Sequence, residues 1–206
     1  MDLTLYSHPE YGQYQIDVLV EKLGKSRGLS LAEMKGELEE AGKAWALAHN
    51  GRKPCLTEIF CEYGIGMEEN VGWREESFEP DRFLSHDDIL LEALGKLSKY
   101  FVLGVVTNNP VLVARKTLAA LGVKDCFSVL VGLDTCMKSK PDKGLFLKFS
   151  ELSKCPPETC VSIGDRYDID LSVPLEMGMG GILVDGVDDV YRLPELLIEK
   201  GGNYGV

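Results

Sequence analysis

The sequence predicts a doubly wound α/β fold: a mostly parallel sheet with a helical domain inserted near its start. From residue 85 onward, short apolar β-branched runs alternate with amphipathic helical stretches, the pattern of strands covered on both faces. Residues 13–80 instead show helical spacing without a strand period. The length of 206 residues suits one such domain plus a smaller insertion.

Taken in order, Ser30 and Glu33 are spaced as a capping box ahead of a helix over Leu31 to Asn50, rich in alanine, glutamate and lysine. Leu56 to Tyr63 reads as a short helix ending near Gly64, and Gly64 to Gly72 as a turn. Ser85 and Asp88 repeat the capping-box pattern before Leu90, Leu94 and Leu97, and Tyr100 to Val106 is a β-branched and aromatic strand. A helix over Val111 to Leu121 closes at Gly122, followed by a strand at Ser128 to Gly132 and a helix at Lys143 to Leu152. The chain finishes with a strand at Cys160 to Gly164, a helix around Leu171 to Met177 and a strand at Gly181 to Val184. These elements place an α/β core at 1–8 and 85–206, its first strand missing or truncated, and a helical cap at 9–84.

Composition narrows the partners. A net charge of −11 disfavours nucleic acid and anionic membrane surfaces. No apolar run approaches the roughly 20 residues that cross a bilayer. The six cysteines form no C-x-x-C pair and no signal peptide precedes them, so reduced thiols and a cytoplasmic location are expected. His8, His49 and His86 lack metal-ligand spacing, and Trp45, Phe60, Tyr63 and Trp73 either pack the helical insertion or shape substrate choice.

In a doubly wound sheet, ligands gather at the carboxyl ends of the strands. Thr107-Asn108-Asn109-Pro110 follows one strand, where a helix N-terminus offers N–H groups to an anion. Lys138-Ser139-Lys140-Pro141-Asp142 places a lysine just before a helix, a compact charge suited to a phosphoryl group. The strand Val161 to Gly164 runs into Asp165, Asp168 and Asp170, and clustered carboxylates of this kind suit a hard cation such as Mg²⁺. Taken singly, each also reads as helix capping or a solvated lysine.

In this order, and with Asp2 and Thr4 at the start, the motifs resemble the haloacid dehalogenase-like (HAD) hydrolases over nearly the whole chain. Members carry D-x-D-x-T after an opening strand, a strand ending in Thr or Ser, a Lys before Pro, and G-D-x-x-x-x-D. The helical insertion is similar to the small cap of the phosphoglycolate phosphatase and pyrimidine 5′-nucleotidase subgroup. The resemblance implies a Rossmann-like sheet and a Mg²⁺-dependent phosphatase of a small phosphorylated metabolite, with a nucleotide among the candidates, working through an aspartyl-phosphate. It makes Asp2 the acid/base, Thr4 a support for its loop, and Thr107, Asn108 and Lys140 the contacts to the phosphoryl group. Metal ligation falls to Asp2, Asp165 and Asp170. A monomer or homodimer is expected.

The match departs from the family at its start. If Asp2 is the second aspartate of D-x-D-x-T, the nucleophile stands ahead of Met1, and the expectation is that Met1 is an internal methionine of a longer protein with this chain impaired as written. The competing readings are a non-catalytic phosphate-binding or regulatory module and a metal-independent dehalogenase on the same fold. A dinucleotide-binding domain is disfavoured because no G-x-G-x-x-G follows a strand.

Overall fold

The structure is a computed structural model that describes residues 1–199. The chain divides into two compact units: one is Pro9–Glu79, and the other joins Met1–His8 to the described residues from Pro80 onward. The second junction precedes the 84/85 boundary read from sequence, because the 3₁₀ turn Pro80–Arg82 packs against α6 (Val111–Ala120) of the α/β unit.

The first unit is helical, with α1 Pro9–Arg27, α2 Leu31–Ala48, α3 Leu56–Glu62 and α4 Met67–Ser77. Ser30 and Glu33 form the reciprocal capping box: the Glu33 N–H donates to Ser30 Oγ at 3.3 Å and the Ser30 N–H to Glu33 Oε2 at 2.8 Å. The turn expected over Gly64 to Gly72 is shorter. Gly64 takes φ 82° and closes α3, whereas Gly72 lies inside α4, which starts at Met67 with Glu68 and Glu69 favouring its positive end. Tyr11, Leu19, Leu23 and Phe60 are fully buried, each contributing about 1.5–3 kcal/mol by leaving water. Phe60 meets Trp73 edge-on at 5.9 Å, so these two aromatic residues pack the helical unit.

The second unit alternates helix and strand as α5 Asp88–Leu97, β1 Gly104–Val106, α6, β2 Val129–Val131, α7 Leu133–Cys136, α8 Lys143–Ser153, β3 Val161–Gly164, α9 Ser172–Glu176, β4 Gly180–Leu183 and α10 Val187–Tyr191. The cap of α5 is Asp87, not Ser85: its carboxylate accepts from the Leu90 N–H at 2.9 Å. The strand read from Tyr100 shortens to β1, since the Tyr100 and Phe101 N–H groups bond back to Leu97 O and complete the end of α5. The helix around Leu171 to Met177 begins earlier, as a π turn over Tyr167–Leu171.

Among the described residues strand pairing is parallel, as expected for the α/β class, but the four strands form two ladders: β1 pairs with β2, and β3 with β4. The single sheet read from sequence is therefore divided, with one edge of β1 and one edge of β3 left outside either ladder. Residues 1–8 contribute no ladder strand. The Thr4 and Leu5 N–H groups both bond to Met1 O, Leu3 takes φ 54°, and Asp2 and Tyr6 meet in an isolated bridge. Val129, Val131 and Leu145 form a buried cluster against which Val106 and Phe149 pack.

Candidate active site

The carboxyl ends of β1 and β3 bring together the residues singled out by sequence. Thr107 follows β1 and is buried. Its N–H donates to Val131 O at 2.9 Å, which extends the ladder to the strand end, and its Oγ1 accepts from the Asn109 N–H at 3.2 Å. Asn109 then reaches across to residues 1–8: its Nδ2 donates to Asp2 Oδ2 at 3.2 Å. The Tyr6 hydroxyl donates to the other Asp2 oxygen. The Asp2 carboxylate is thus held from two sides.

Thr4 is buried and its hydroxyl donates to Asp165 Oδ1 at 3.0 Å, tying the start of the chain to the end of β3. Lys140 is buried as well. Its backbone is bracketed by Asn108, whose Oδ1 accepts from the Lys140 N–H at 2.6 Å and whose Nδ2 donates to Lys140 O at 3.3 Å. Asn108, expected as a substrate contact, therefore spends its amide on positioning the lysine.

The Lys140 ammonium donates to Asp170 Oδ1 at 2.6 Å, and the Arg166 N–H donates to Asp170 Oδ2 at 3.0 Å. Burial alone would raise the Asp170 carboxyl, but the Lys140 charge and hydrogen bond outweigh it and hold the group below the usual carboxylate range. The half-buried Met1 amino group is held below its ordinary value by desolvation first and the Lys140 charge second. Asp168 turns outward to Arg166, 2.7 Å away, on the surface.

Two expectations are revised by this geometry. Among the described residues no three acidic, histidine or cysteine side chains come together as a metal centre, so the trio Asp2, Asp165 and Asp170 does not assemble one. Protein donors engage these carboxylates instead: Tyr6 and Asn109 on Asp2, Thr4 on Asp165, and Lys140 with Arg166 on Asp170. The N-terminus of α6, expected to offer N–H groups to an anion, already holds one, because Asp134 Oδ1 accepts from the Val111 N–H at 2.9 Å.

Asn109 is the residue the sequence reading underused. It joins Asp2 to Thr107, and its available signal was its position two residues beyond the strand-end threonine. The arrangement offers a buried hydroxyl, a buried ammonium and an oriented carboxylate linked through Asn108 and Asn109, groups suited to holding a phosphoryl oxygen and moving a proton.

Residues 73–184 match the family described as haloacid dehalogenase-like hydrolase. The chain is 28% identical over 161 residues to the pyrophosphatase PpaX of Listeria welshimeri, covering 71% of each. Among solved structures it resembles a HAD phosphatase from Thermococcus onnurineus, with a TM-score of 0.61 at 20% identity over 96% of this chain and 95% of that one. It also resembles the putative HAD-hydrolase YfnB of Bacillus subtilis bound to magnesium, with a TM-score of 0.56 at 17% identity over 90% and 93% of the two chains.

Proposed function

The chain belongs to the haloacid dehalogenase-like hydrolase family, and on that basis we propose that it is a phosphoric monoester hydrolase of a small phosphorylated metabolite. The observation that supports the reading is the buried Lys140–Asp170 pair, its lysine backbone held by Asn108, the residue that follows buried Thr107. The pyrophosphatase name of the Listeria relative supports phosphoryl chemistry.

In this reading Thr107 donates its hydroxyl to a phosphoryl oxygen, and the Lys140 ammonium offsets the charge that builds as the ester bond breaks. Asp2, oriented by Tyr6 and Asn109, gives a proton to the leaving oxygen and later takes one from water. Thr4 keeps the loop of residues 1–8 against Asp165. By the family resemblance the attacking group is a carboxylate two residues before the acid/base. Magnesium dependence is part of the proposal by family resemblance. The carboxylates as folded do not form its site, so no step here runs through the ion.

The decisive experiment is turnover of para-nitrophenyl phosphate, with and without magnesium, by the 206-residue chain and by a version carrying an apolar strand and an Asp-x pair ahead of Asp2. The extended version should exceed the short one by at least about 100-fold, on the scale of losing a nucleophile or its base, and Lys140→Ala should abolish the gain. Equal rates in the two chains would overturn the reading. Phosphate binding without turnover in either chain would favour the non-catalytic module, a reading supported by the full engagement of the Asp2 oxygens. Among the described residues no helix is long and apolar enough to cross a membrane, and no disulfide joins the cysteines. A cytoplasmic location is the proposal these support.

A further inference from the structure

β3 ends at Gly164, yet the chain stays extended through Arg166, which takes φ −120° and ψ 114°. The π turn Tyr167–Leu171 then closes back on it. The Ile169 and Asp170 N–H groups donate to Arg166 O at 3.3 and 2.7 Å, and the Arg166 N–H donates to Asp170 Oδ2 at 3.0 Å. Ser162 Oγ, from β3, donates to Asp170 O at 2.8 Å, so the turn is pinned to the strand that precedes it. Turns of this kind occur often at functional sites.

The turn has two faces. Ile169, Asp170 and Leu171 are buried, whereas Tyr167 is exposed and the Arg166 and Asp168 side chains are 39% and 37% exposed. Arg166 closes its guanidinium on both Asp168 oxygens: Nε donates to Oδ1 at 3.3 Å and Nη2 to Oδ2 at 2.7 Å. This is the two-pronged grip by which arginine takes a carboxylate or a phosphate. A pair at this exposure holds weakly, because water competes for both charges. The Asp170 carboxylate that accepts the Arg166 N–H on one oxygen accepts the Lys140 ammonium on the other, at 2.6 Å. The arginine therefore starts one carboxylate away from the cation assigned to the phosphoryl group, on a backbone fixed at both its N–H and its C=O.

We propose that Arg166 is a specificity residue: its guanidinium takes a second anionic group of the substrate, a carboxylate or a further phosphate, and Asp168 is the internal anion that holds this fork until the substrate replaces it. The inference rests on the phosphatase reading above and narrows it to small phosphorylated metabolites that carry a second oxyanion close to the phosphoryl group. Binding exchanges one oxyanion for another on the same two N–H groups. The arginine is thus already oriented, and Asp168 moves into the water that reaches it now.

The test measures, by calorimetry in metal-free buffer, the binding of methylphosphonate, phosphonoacetate and methylenediphosphonate to the 206-residue chain. The first carries a phosphoryl-like group alone; the second adds a carboxylate and the third a further phosphonate. At least one of the two-headed ligands should bind about tenfold more tightly than methylphosphonate, the scale of a hydrogen bond between charged groups, and the tighter of the two names the second group. Arg166→Gln should remove that preference, and Arg166→Lys should not restore it, because the ammonium keeps the charge and lacks the fork. Asp168→Asn should raise the affinity for the preferred ligand about two- to fivefold, the scale of a surface pair. In the Arg166→Gln background the same change should have no effect, which separates release of the fork from simple loss of a negative charge. Equal binding of all three ligands, a preference that survives Arg166→Gln, or an Asp168→Asn gain independent of Arg166 would overturn the assignment and leave the phosphatase reading standing. Failure of methylphosphonate to bind, or binding indifferent to Lys140→Ala, would overturn that reading and the assignment with it.

Discussion

The Lys140 ammonium lies 2.6 Å from Asp170 Oδ1, with the two side chains 10% and 9% exposed. The pair draws its members from different ladders, Lys140 following β2 and Asp170 following β3. Removing one partner of a buried pair leaves the other charge without compensation. Asp170→Asn should cost about 3–5 kcal/mol, read from urea unfolding at neutral pH. A loss below about 1 kcal/mol would show the pair to be solvent-screened.

The depressed Asp170 carboxyl sets the acid limb of stability. Its folded value lies below the ordinary value near about 4, so its contribution is complete above that range and disappears as pH falls through the depressed folded value. Wild type should therefore lose more stability between pH 5 and pH 2 than Asp170→Asn does. Parallel acid profiles would refute this.

Gly164 ends β3 under close contact. A Cβ there would meet Asp170 Cβ at 2.4 Å and Asp170 Oδ2 at 2.6 Å, and the nearer clash involves no flexible tip. Gly164→Ala should cost about 1–3 kcal/mol, as overpacking does, and flatten the acid limb by driving Asp170 from Lys140. Normal stability with an unchanged pH profile would show that the strand end yields freely.

Tyr191 at the end of α10 donates its hydroxyl to Asp87 Oδ2 at 2.6 Å. Burial, then the Asp87 carboxylate, push its ionisation up to about 12. The raised value favours the neutral phenol, so this contribution is present below pH 10 and fades as pH rises towards 12. Ultraviolet titration should show a phenol ionising near about 12, and Tyr191→Phe should remove that component. Loss of an ordinary phenol instead would count against the contact.

The sequence made the order of elements legible because its helices carry local signals, such as the Ser30–Glu33 box and the leucine spacing of α5. The strand ends were legible too: Thr107, Lys140 and Asp165 come to one region of the α/β unit. The long-range bonds were not. Nothing local indicates that Asn108 turns to the Lys140 backbone, that Asp134 occupies the start of α6, or that Asp170 is neutralised by lysine. Ser85 and Asp87 compete for one cap at two-residue separation, and only backbone geometry chooses between them. The division into two ladders depends on the edges of β1 and β3, which are far apart in sequence and equally apolar.

The two-ladder arrangement also has a mechanical meaning. A continuous sheet resists shear through its backbone along the whole width, whereas here force crossing from β1 to β3 must pass through side chains and connecting helices. The Lys140–Asp170 pair is a rivet across that seam. Pulled apart, the α/β unit would part along this line first, each half keeping its own ladder.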